Sequence, residues 1–239
     1  MGSIGAMDSA AGSADPIKAV AARMEQLAAP LHSDDGVRRF NELYLAVTVE
    51  VARVEAESST FEDPEFVTRL DVVFADLYFA AVDDDHAGRK VARAWAPLFE
   101  QRAARRIAPL QFAIAGMNAH INHDLALALV TTTKEFGVGL DRDTPQHRDY
   151  VLVDGILQRV QDEIKDRFTT GAIRDIDRAG GRLDDMFANW SVSRARDNAW
   201  AQAQTLDAIA GSDFLRRQFL AALGRNVGFA GRALLTPLG

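Results

Sequence analysis

The chain has 239 residues, 48% of them apolar, which supplies core material for one compact domain. Its 27 Lys and Arg stand against 34 Asp and Glu, a net charge of −7 that argues against sequence-independent binding to nucleic acid or an anionic membrane. It has no cysteine, so a disulfide scaffold, a thiolate metal site and a cysteine nucleophile are all excluded.

Residues 1–14 are small and polar, without the basic start and apolar run of a secretory signal. They are expected to form a disordered tail before a single domain over 15–239 in a cytoplasmic protein. Asp15-Pro16, Asp63-Pro64 and Thr144-Pro145 each pair a side-chain acceptor with a proline suited to the first helical position. Apolar spacing at three and four residues predicts helices over 16–29, 34–57, 64–82, 86–105, 109–135, 145–168, 182–210 and 213–234, and no strand. Phe40, Leu43, Tyr44, Val47, Val51 and Val54 form a core-facing stripe on the second helix, as do Phe66, Leu70, Val73, Phe74, Leu77 and Tyr78 on the third. Pro97 should kink or break the fourth, and GVGLDRD and RAGGR read as loops. The expected fold is all-α, a single-domain bundle of about eight helices around a buried central helix.

That central helix is the 109–135 segment, which is apolar on nearly every side. His120, His123 and Asp124 at its middle argue against a membrane span, because a charged aspartate there costs about 2.5–3.5 kcal/mol on insertion scales. At about 100° per residue these three share one side, bracketed by Gly116 and Leu127, while Asn118 and Asn122 face the other. Buried polar groups left unpaired cost on the order of 1–3 kcal/mol each, so both clusters need partners.

Three uses would supply partners for the His and Asp cluster. Two imidazoles and a carboxylate match the ligand chemistry of a divalent transition metal (zinc, iron or manganese), with Asp71 or His147 completing the shell. Metal-bound water would then be acidified and attack an ester, amide or phosphoester of a small molecule, with Asp154 or Tyr150 as catalytic groups outside the shell. The alternative is a metal-free helical pocket, a small-molecule binder or an isomerase or cyclase of specialised metabolism, in which the carboxylate orients an imidazole for proton transfer. The third is a hydrogen-bond network that only fixes helix docking. Asn118 and Asn122 suit helix-to-helix hydrogen bonds, Asp76, His32 and His86 suit the surface, and Trp190 and Trp200 suit packing or a pocket wall. No partner beyond a small-molecule substrate is implied, and the pattern singles out no oligomer interface.

No Glu-x-x-His, His-Glu-x-x-His, P-loop or Gly-x-Gly-x-x-Gly occurs. VDDDHAG and LDDMFAN read as solvated turns. His123-Asp124 resembles the central dyad of the all-helical HD-domain metal phosphohydrolases, which implies His86 and Asp154 as outer ligands and leaves His120 without a role. GVRRFNELYLAVTVEVA, FEDPEFVTRLDVVFADLYF, RAWAPLFE, IAPLQFAIAGMNAHINHDLALALV and DRDTPQHRDY together resemble an all-helical family of unknown function found in actinobacteria. These blocks cover roughly 36–150 and imply a similar helical fold without implying an activity; the C-terminal third carries no resemblance.

Overall fold

The computed structural model describes residues 15–57, 61–158 and 191–237. The expected tail 1–14, the predicted helical stretches 159–168 and 182–190, Trp190, RAGGR and LDDMFAN lie outside the described residues. The elements are α1 (Pro16–Ala28), α2 (Gly36–Glu57), α3 (Pro64–His86), α4 (Ala96–Gln101), α5 (Pro109–Ala119), a π turn (His120–Asp124), α6 (Leu125–Phe136), α7 (145–158), α8 (Val192–Ala208) and α9 (Asp213–Leu234). Among the described residues there is no strand, so the fold is the all-α bundle expected.

The helix starts follow from local chemistry. Asp15 accepts from the amides of Ile17 and Lys18, Asp63 from Phe66, and Thr144 from His147, each just ahead of a proline that has no N–H to leave unsatisfied. Ser191 and Ser212 cap α8 and α9 in the same way. The 86–105 prediction is corrected: α3 continues to His86, Gly88 turns the chain at φ +63°, and only Ala96–Gln101 is helical. Pro97 falls in the first turn of α4, where it starts a helix rather than kinking one.

α5, the π turn and α6 form one continuous rod from Pro109 to Phe136, which ends at Gly137 in the left-handed conformation, φ +65°. Within it the Leu125 N–H bonds to the His120 carbonyl, five residues back, so the helix carries one residue more than an α turn needs. α2, α4 and α9 pack on α5, α3 and α8 pack on α6, and the π turn touches α3, α8 and α9. Gly116 permits the close approach of α2, because the Phe40 ring occupies the place where a Cβ would stand. On the opposite side Asn118 donates to the Val227 carbonyl of α9 at 3.0 Å and accepts from Asn122 at 3.3 Å, the helix-to-helix role its position suggested.

Two buried side chains tie distant ends of the chain to this frame. Gln111 donates to the carbonyls of Leu234 and Thr236 at 2.7 and 2.8 Å and accepts from the Ala108 N–H, so it closes the C-terminus of α9 onto the start of α5. Asp149 of α7, fully buried, accepts from the amides of Glu62 and Asp63 at 2.9 and 2.7 Å and anchors the chain that leads into α3. Among the described residues no helix is long and apolar enough to cross a membrane.

Candidate functional site

The π turn places a buried carboxylate at the centre of the molecule and surrounds it with donors. Asp124 Oδ2 accepts from Trp95 Nε1 at 2.8 Å and lies 3.1 Å from His120 Nδ1, while Oδ1 lies 2.7 Å from His123 Nδ1. His120 and Asp124 meet because they stand four residues apart. Burial pushes the Asp124 carboxyl up, but hydrogen bonds from His120 and His123 more than offset this and hold it below the usual carboxylate range. An ionised carboxylate can only accept, so both imidazoles present Nδ1–H to it.

The two imidazoles differ in what surrounds them. His123 is partly exposed and its Nε2 faces Gly224 of α9. His120 is 2% exposed and enclosed by rings: Phe74 stacks on it with centroids 3.5 Å apart and planes 5° from parallel, and Tyr44 approaches edge-on at 4.6 Å. Phe40, Trp95 and Tyr78 stand slightly further out. Burial lowers the His120 pKa against the pull of Asp124, which keeps the ring neutral. Its Nε2 has no hydrogen-bond partner among the described residues.

That imidazole lines an apolar cavity whose walls come from α1, α2, α3, the central rod, α7 and α8. Its volume is about 100 Å³, of the order of the ~150 Å³ apolar cavities that hold benzene. Leu43, Val47, Val51, Leu70 and Phe74 face the core as their spacing predicts and also form part of this wall. Polar groups on the wall are few: Tyr44, Thr48, Asp71, His120, Tyr150 and Arg196.

Most of these are already occupied. Thr48 donates to the Tyr44 carbonyl, and Tyr150 donates to the Arg196 carbonyl at 2.8 Å. Arg196, buried at 6% exposure, pairs with Asp154, donates to the Tyr150 carbonyl at 2.7 Å and lies over the Tyr150 ring at 3.9 Å. Burial pushes Asp154 up even against this guanidinium. Asp71 has no hydrogen bond or ion pair within 4.0 Å among the described residues, and burial raises its carboxyl to about 6 against the attraction of Arg196. Burial, then Asp71 and Asp124, raise the Tyr44 hydroxyl well above its ordinary value.

The metal shell expected from the sequence, His120, His123, Asp124, Asp71 and His147, does not converge on a common point. His120 and His123 both direct Nδ1 at Asp124, Asp71 stands in the cavity wall, and His147 packs edge-on to Trp200 at 4.6 Å. Among the described residues no group of three or more His, Asp or Glu side chains is placed to hold a metal ion. The residues implied by the HD-domain resemblance also stay apart, with His86 exposed at the end of α3 and Asp154 bound to Arg196. Asp154 and Tyr150, expected as catalytic groups, serve to fix Arg196. Trp200 packs in the α6–α8 core and donates to the Leu140 carbonyl. Sequence reasoning missed Trp95, which it placed inside the 86–105 helix, and Arg196, which sits on a polar-looking helix.

No curated protein and no solved structure matches the chain significantly. The family match is broad and includes the C-terminal third that supplies Arg196 and Val227: residues 17–237 match the family of unknown function DUF5995, and the chain belongs to that family.

Proposed function

We propose that this protein binds a small, largely apolar molecule in the central cavity and that His120, oriented by Asp124, acts on it as hydrogen-bond acceptor and general base. One observation carries the reading. His120 holds its Nδ1–H on a buried carboxylate and leaves Nε2 without a partner among the described residues, on the wall of a mostly apolar cavity. An orphaned buried acceptor costs on the order of 1–3 kcal/mol, and a ligand donor at Nε2 removes that cost. A neutral imidazole fixed in one tautomer by a carboxylate is the arrangement that moves protons in isomerisation or cyclisation.

The test is a screen of small apolar molecules by thermal shift and native mass spectrometry, with and without chelator. Binding is expected to persist in chelator and to weaken about tenfold or more in His120→Leu, which keeps the volume and removes the acceptor. Loss of binding on chelation, restored by zinc, iron or manganese, would overturn the metal-free reading in favour of a metal-dependent hydrolase.

A further inference from the structure

The groups in the cavity that have no partner among the described residues are mainly acceptors, and that selects a class of ligand. Thr48, Tyr150 and Arg196 all direct donors at protein oxygens, which leaves the Nε2 lone pair of His120, the Asp71 carboxyl and the Tyr44 hydroxyl. Asp71 lies one helical turn before Phe74, the residue stacked on the His120 ring, and Tyr44, edge-on to that ring, has its hydroxyl raised by the Asp71 charge, so carboxyl and imidazole flank the same part of the cavity. Arg196, the guanidinium that attracts Asp71, is already paired with Asp154 and seated over the Tyr150 ring.

We propose that the cavity takes a small apolar amine in its ammonium form, with the ammonium donating to the Asp71 carboxylate and to His120 Nε2. An ammonium brings three donors and no acceptor, which complements this corner. A neutral alcohol offers one donor and leaves the second acceptor bare. This inference rests on the cavity being a ligand site, and the experiment separates the two.

Benzylamine and benzyl alcohol, nearly isosteric and close to the cavity in size, are titrated calorimetrically into the full-length protein and into Asp71→Asn. The intact protein is expected to bind the amine at least about tenfold more tightly above pH ~7, because a charge-assisted hydrogen bond is roughly twice as strong as a neutral one. Asp71→Asn should lose that preference and keep alcohol binding. In the intact protein the preference should also collapse as the pH falls well below about 6, which tests the idea even if the variant folds poorly. The charged and titratable groups around this corner are Tyr44 from α2, Asp76 from α3, His120 and Asp124 from the central rod, Tyr150 from α7 and Arg196 from α8, the last paired with Asp154; pH dependence that survives in Asp71→Asn reports His120. A preference for the alcohol in the intact protein, or an amine preference that Asp71→Asn retains, overturns the inference while leaving the cavity a ligand site. Failure of both probes overturns the ligand-site reading and this inference with it.

Discussion

Removing the charge of Asp71 should stabilise the ligand-free protein, and the gain should depend on pH. Burial holds this carboxyl near 6 when folded against 3.8 ordinarily. A tenfold change in proton affinity corresponds to about 1.4 kcal/mol, so the ionised form is up to about 3 kcal/mol costlier in the folded chain than in the unfolded one. Between pH ~3.8 and ~6 the folded state binds more protons than the unfolded state, so stability falls as pH rises through that window and the full cost is present above it. Water in the cavity reduces the cost, and about 1–3 kcal/mol is the expected gain from Asp71→Asn above pH ~7. For a chain of this length that is about 2–4 °C in Tm per kcal/mol. Urea midpoints for both proteins at about pH 4 and about pH 7.5 measure it, with m-values checked for equality. His120 has the opposite slope, since its unfolded form takes a proton near 6.5 while burial keeps the folded ring neutral, and the difference between the two proteins removes it. An equal gain at both pH values, or a loss above pH ~7, would refute the reasoning.

Asp124→Asn should cost about 3–5 kcal/mol, because three donors converge on this carboxylate and an amide offers one accepting oxygen. Chemical denaturation measures the loss, and ¹⁵N NMR of the His120 ring should show its single tautomer replaced by a mixture. Gly116→Ala should cost about 1–3 kcal/mol by forcing a methyl against the Phe40 ring, and an unchanged Tm would show that this ring is free to move. Gln111→Ala should release the end of α9, seen as faster amide exchange over 231–236 with little change in α3.

Helix positions were legible where the signal is local. Asp15, Asp63 and Thr144 announce helix starts because a cap needs only a short acceptor next to a suitable backbone. Placing His120 and Asp124 on one side was equally local, since four-residue spacing decides it. What they converge on was not legible: the imidazoles turn inward onto Asp124, and the third donor, Trp95, comes from 29 residues away. Apolar periodicity also cannot distinguish a filled core from a cavity wall, so Tyr44, Val47 and Phe74 read as packing. Asp71 looked like a metal ligand, and only the positions of Arg196 and Asp154 reveal it as a cavity carboxyl without an ion pair among the described residues.

The π turn also decides which neighbours each half of the central rod can have. Deleting one residue, Ile121 for example, would restore α-helical hydrogen bonding and rotate everything after it by about 100° relative to everything before. Leu125 and Leu129 would then swing out of the α3–α8 core while Phe112 and Gly116 kept their seats on α2. A single residue thus acts as a phase shifter between two helix bundles sharing one axle, and the dyad of His120 and Asp124 sits at the point where the two phases meet.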